Sequence, residues 1–278
     1  NEYYGDQPEG FRTLQGASGL GGSNITFDDC KTLNLNRALT ISNGRGVTIT
    51  NNRFDKIYQD CIAIPILSDT VFNDDVTITG NLFTRSQAKA TDTLAVNGYE
   101  NPHSDYIQID VGDAVTATFN DYVIENNVFI QQGSRGQSQC VFMSTNGVSA
   151  GRLAGVRVAR NKIVSRTAQG IWLLKTINAV IENNTLVYDL DQGLFTPTIR
   201  LVQSEGATVE NCAYPILSIE ASATGTILTN NYEYTDNDQT EYLALFDGPS
   251  FGDNTTDSAS DLERKAGGAL DIVPPIGA

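Results

Sequence analysis

Short runs of alternating apolar and polar residues recur along the chain, and most of them end on an asparagine. In register the runs are Ile25-Phe27-Cys30, Val47-Ile49-Asn52, Val76-Ile78-Asn81, Tyr122-Ile124-Asn127, Val156-Val158-Asn161, Ala179-Ile181-Asn184, Ala207-Val209-Cys212 and Thr226-Leu228-Asn231. An irregular repeat of roughly 20 to 30 residues, with some wider gaps, is the mark of a solenoid whose units bury their apolar faces on one another. A second alternating phrase follows each anchor: Leu39/Ile41, Ile62/Ile64, Ile107/Ile109, Val141/Met143, Ile171/Leu173, Ile199/Leu201, Leu217/Ile219 and Leu243/Leu245. Period two means strands with one buried face. Two or three short strands per repeat, no helical period and corners rich in Asn, Asp and Gly predict an all-β fold. The expected form is a right-handed parallel β-helix (a solenoid) of about eight coils.

The anchor Asn tolerates a left-handed bend, and its amide can bond the Asn one coil away. Cys30 and Cys212 take that position in two repeats. The repeat fills residues 24–247 without a linker, which predicts one elongated domain. Residues 1–23, polar and Gly-rich around Phe11 and Leu14, are expected to cap the first coil, since an open end is an unpaired sheet edge. Residues 248–278 read as a tail that wraps back along the rod or docks on a partner chain, as in a homotrimer or a larger virion or surface assembly.

Composition narrows the partners. Lys and Arg number 18 against 33 Asp and Glu, a net charge of −15, which argues against nucleic acid. An acidic ligand would then need a locally basic groove. The corners Asn73-Asp74-Asp75 and Asp236-Asn237-Asp238 offer oxygen ligands for Ca²⁺ but match neither an EF-hand nor a glycine-rich calcium nonapeptide, and solvated turns are the plainer reading. No other cofactor is indicated. Cys61 and Cys140 fall in one column about two coil rises apart, roughly 9.6 Å and beyond disulfide reach, so four reduced cysteines are expected. No stretch is apolar enough to span a membrane. The chain starts at Asn1 rather than Met, so an upstream segment is expected to have been removed or left out.

Stacking the second phrases gives columns of outward side chains. One column reads Thr40, Ala63, Gln108, Phe142, Trp172, Arg200, Ser218 and Ala244, and the one before it carries Ala38, Cys61, Tyr106, Cys140 and Gly170. In this register Tyr106, Gln108, Phe142, Trp172 and Arg200 form an exposed aromatic and polar strip. Flat aromatic faces flanked by amides and a guanidinium suit a sugar chain. Packing of Phe142 and Trp172 under neighbouring loops is the alternative. At the strand entrance lie Arg37, Asp60, Asp105 and Gln139. Asp60 and Asp105 on adjacent coils have the spacing of a glycosidase carboxylate pair, or are an exposed corner pair without chemistry.

The segment between Asn81 and Tyr106 is the longest connection, and long loops on a rigid rod are where solenoids place function. It holds Arg85, Lys89, Tyr99 and the only histidine, His103. His103 is either a general acid or base beside Tyr99 and Asp105, or a strand-entrance cap. Elimination or epimerisation at a uronate needs a base, an acid and a group that neutralises the carboxylate. Tyr99 and His103 suit the first two roles. Arg85, Lys89 or Arg135 suits the third, with Gln108 and Gln139 holding the carboxylate.

The repeat resembles the pectin-lyase-like right-handed β-helix superfamily over almost the whole chain, a group that includes polysaccharide lyases, polygalacturonases, alginate epimerases and phage tailspike depolymerases. Tyr99-Glu100-Asn101-Pro102-His103 is similar to the Tyr followed by Asp-Pro-His of alginate epimerases, with Asn101 in place of the Asp and one residue fewer between Tyr and His. The resemblance implies an extracellular or virion-borne protein acting on a polysaccharide, an acidic glycan in particular, as a lyase or C5-epimerase with Tyr99 and His103 central. A non-catalytic tail or adhesion protein and a glycoside hydrolase using paired Asp residues are the alternatives.

Overall fold

The computed structural model describes residues 2–4, 15–33, 35, 37–57, 59–70, 73–84, 104–131, 138–145, 150–165, 168–188 and 196–233. Every regular element among them is a strand, and every strand pairing is parallel. Three sheets of nine, eight and nine strands result. The chain visits them in a fixed cycle. The anchor phrase lays down a strand of the first wall (Val47–Thr50), a short strand follows on the second wall (Arg53–Asp55), and the second phrase builds the third (Ile62–Ile66). The next anchor, Val76–Thr79, then lies beside Val47–Thr50 with Ile78 opposite Ile49. This is a solenoid of stacked parallel sheets, consistent with a parallel β-helix.

The second wall was not separately legible in the alternation. Its strands are only a few residues long, too short to display period two, yet they carry the widest part of the core. Phe54, Phe83 and Phe129 occupy one inward column at 0% exposure. Their rings stack at 4.9 and 4.7 Å, nearly parallel, so neighbouring coils are locked ring on ring. The signal was an Asn-x-aromatic triplet: Asn52-Arg53-Phe54, Asn81-Leu82-Phe83 and Asn127-Val128-Phe129.

Where the first wall turns into the second, the anchor asparagines form a buried ladder. The Asn52 N–H and its Nδ2 both donate to Asn81 Oδ1 at 2.9 Å, and Asn81 does the same to Asn127 at 3.0 Å. Asn127 repeats this on Asn161, and Asn161 on Asn184. The left-handed residue is not the ladder Asn, as the sequence suggested, but the one before it. Asp29, Asn51, Gly80, Asn126, Arg160, Asn183, Asn211 and Asn230 all have positive φ. That division has a physical reason: the preceding residue makes the bend and faces out, which leaves the ladder amide free to point inward along the stack.

Strands also reach into the segment read as a cap. Glu2–Tyr4 pairs with Lys31–Leu33, and Gln15–Ser23 pairs with Arg37–Arg45 with a register shift between Ala17 and Leu20. Among the described residues no helix is long and apolar enough to cross a membrane.

Candidate functional site: the outward face of the third wall

Inward residues of the third wall, Ile62/Ile64, Ile107/Ile109, Val141/Met143, Ile171/Leu173 and Ile199/Leu201, are all at 0% exposure. The residue between each pair then points away from this core, although Ala63 is itself covered at 4% exposure. Parallel pairing sets Thr40, Ala63, Gln108, Phe142, Trp172, Arg200 and Ser218 side by side in one column, as the alternation predicts. Gln108, Phe142, Trp172 and Arg200 are half-buried. Beside them Pro65, Asp110 and Ser144 pair in a second column, in which Ser144 is buried at 5%.

The aromatic faces are not bare. The Phe142 ring meets Trp172 edge-on at 5.2 Å and 69°. The Arg200 guanidinium sits 4.5 Å from the Trp172 centroid, a cation–π contact that covers one face of the indole. Arg200 Nε donates to Glu220 Oε1 at 3.1 Å, and Nη2 bonds the same oxygen. Among the described residues the buried indole Nε1–H has no hydrogen-bond partner. The strip therefore offers a clustered cation, carboxylate and aromatic edge rather than flat platforms. Glu220 escaped the sequence reading; its signal was its place two residues after Ser218, on the same outward face.

The whole column Ala38, Cys61, Tyr106, Cys140 and Gly170, expected to face outward, lies inside. Tyr106 is at 0% exposure, its ring tilted against Phe83 and Phe129 at 5.7 and 5.9 Å, with its hydroxyl donating to Ile130 O at 3.2 Å. Alternation fails there because the corner into the third wall turns two consecutive residues inward: Cys61 and Ile62, Tyr106 and Ile107, Cys140 and Val141. Asp105 (0%) and Gln139 (5%) are likewise buried, paired with each other in register.

Asp60 and Asp105 are adjacent, as the register requires, but they are buried rather than exposed at a corner. The Asp105 N–H donates to Asp60 Oδ1 at 3.2 Å, and Arg37 Nη2 lies 2.7 Å from Asp60 Oδ2. Burial, helped by Asp60, Asp55 and Asp105, pushes the Cys61 thiol well up. Two carboxylates enclosed in this way do not present themselves to a polymer. Arg85, Lys89, Tyr99, His103 and Arg135 lie outside the described residues.

At the Asn73-Asp74-Asp75 corner the oxygens hold the chain together. Asn73 Oδ1 accepts from Gly44 N at 2.9 Å, Asp74 Oδ1 from Asn120 N at 2.8 Å, and Asp75 pairs with Arg45 at 3.5 Å. Among the described residues no group of three or more His, Cys, Asp or Glu is arranged to hold a metal ion. Asp236-Asn237-Asp238 lies outside them. Comparison of the chain with models of known families, with curated proteins and with solved structures gave no match.

Proposed function

We propose that the chain is a right-handed parallel β-helix of about eight coils, of the pectin-lyase-like kind, that engages a polysaccharide along the outward face of its third wall. The observation that carries this reading is the in-register column Gln108, Phe142, Trp172 and Arg200, an aromatic and polar row set along the rod. Aromatic and charged side chains of this size on an outward, half-buried sheet face need a reason, and a glycan running along the coils supplies one.

The substrate is a uronate-containing glycan, and the reaction is β-elimination or C5-epimerisation. Both begin with removal of the proton next to the carboxylate, for which His103 and Tyr99 serve as the acid–base pair. Arg85, Lys89 or Arg135 neutralises the carboxylate while charge develops, and Gln108 holds it. With a net charge of −15 the rest of the surface repels such a polymer, so these cations define where it docks. The protein works outside the cell or on a virion, with residues 248–278 in its assembly and Ca²⁺ as a candidate ion.

Polygalacturonate and alginate are the substrates to test. A lyase yields unsaturated uronate, read by ultraviolet absorbance; an epimerase incorporates solvent deuterium at C5. The His103→Ala variant is expected to lose about 100-fold or more in rate with its fold intact. Retention of the polymers on an affinity gel with neither product would replace catalysis by a binding role, as in a tail or adhesion protein. Neither binding nor turnover would overturn the reading.

A further inference from the structure

The pair formed by Arg200 and Glu220 is unusual for a surface ion pair in what else holds it. The Arg200 and Glu220 side chains are 39% and 35% exposed, so solvent screens their attraction and the bond is readily exchanged. Arg200 does not depend on Glu220 for its position. The guanidinium carbon sits over the Trp172 ring, and Phe142, paired to Trp172 from the opposite neighbouring strand, meets the indole edge-on. Both contacts to Glu220 converge on one oxygen, Oε1, instead of the two-on-two fork that guanidinium and carboxylate favour. An incoming carboxylate can form that better fork. The orphaned indole N–H next to it is a cost that an outward position has no structural need to bear.

We propose that Arg200 is a carboxylate-selecting subsite and that Glu220 is its internal competitor, a built-in carboxylate displaced when a sugar acid binds. The inference rests on the glycan surface proposed above and names its ligand class: a hexuronate, recognised by its carboxylate, with neutral sugars excluded. Glu220 sets the threshold. A single hexuronate displaces it only when supplied in excess, whereas a polyuronate, anchored along the other positions of the column, displaces it at lower concentration.

Trp172 is the sole tryptophan of the chain and touches Arg200, so its emission reports the site directly. Galacturonate titrated into the full chain is expected to shift that emission, while glucose leaves it unchanged. In Glu220→Gln the competing charge is gone, and the apparent affinity for galacturonate is expected to rise about tenfold. Arg200→Gln is expected to abolish the response, and Arg200→Lys to recover only part of it. Circular dichroism checks that each variant keeps its strands.

Unchanged or weaker binding in Glu220→Gln, or an equal response to glucose, would overturn the subsite. Two results separate it from the wider reading. Polygalacturonate retained equally by the original chain and by Arg200→Gln leaves the glycan surface standing and removes Arg200 from it. An emission shift with galacturonate, strengthened in Glu220→Gln but with no polymer bound or converted, keeps the subsite and removes the polysaccharide.

Discussion

A single asparagine in the ladder does the work of two acceptors and two donors. Asn127 Oδ1 accepts from the N–H and the Nδ2 of Asn81, while its own Nδ2 donates to Ile78 O at 2.9 Å and to Asn161 Oδ1 at 3.1 Å. All of this is buried, so truncation strands polar groups away from water. Asn127→Ala is expected to cost about 2 to 4 kcal/mol in urea unfolding. Asn231→Ala, at a half-buried position near the end of the stack, is expected to cost about 1 kcal/mol, for the lost bond from Cys212 N. Equal losses at the two sites would show that the ladder contributes nothing beyond a local turn. The ladder itself was legible, because an asparagine closing most of the alternating runs has few other uses. The residue that bends the chain was not: Asn51 and Asn52 look alike in sequence, and only backbone geometry tells them apart.

At the scale of an element, the second and first walls illustrate opposite kinds of stabilisation. Phe83 lies between Phe54 and Phe129 and also touches Tyr106, so Phe83→Ala is expected to remove about 3 to 5 kcal/mol, measured by the same unfolding experiment. The first wall instead carries charges on its outer face. Arg157 Nη2 lies 2.5 Å from Glu182 Oε1 and its Nη1 bonds Glu125, while Arg160 reaches Glu125 at 2.6 Å. One coil further on, opposite Glu182, Glu210 has no such cation among the described residues. Partial burial and its hydrogen bond and repulsion with Glu182 raise its carboxyl above the usual range. A raised acid binds its proton more tightly in the folded chain than in the unfolded one. Its favourable contribution is therefore complete below the ordinary Glu pKa and disappears as pH rises through the raised value. Glu210→Gln is expected to raise the unfolding midpoint at pH 7 and to leave it nearly unchanged at pH 4. A midpoint that falls at pH 7 would contradict this.

For the whole molecule, stacking short coils puts residues far apart in the chain side by side and encloses chemistry that a linear reading left open. Cys30, Cys61, Cys140 and Cys212 are buried and none is in a disulfide, and burial raises the Cys61 and Cys140 thiols. A chromogenic disulfide reagent is expected to leave all four unmodified in the native protein at pH 8 and to titrate four on denaturation; fast native reaction would indicate a looser rod. The strand phrases, the third-wall column from Thr40 to Ser218 and the asparagine ladder were determined by the sequence alone, since period two is a local property of an extended chain. The inward turn of Tyr106 and Asp105, the aromatic stack of the second wall, and the clasp of Arg200 between Trp172 and Glu220 were decided only by the tertiary structure. Each depends on how a corner bends or on which residue some 20 to 50 positions away arrives next to it, and neither is written in a run of alternating residues.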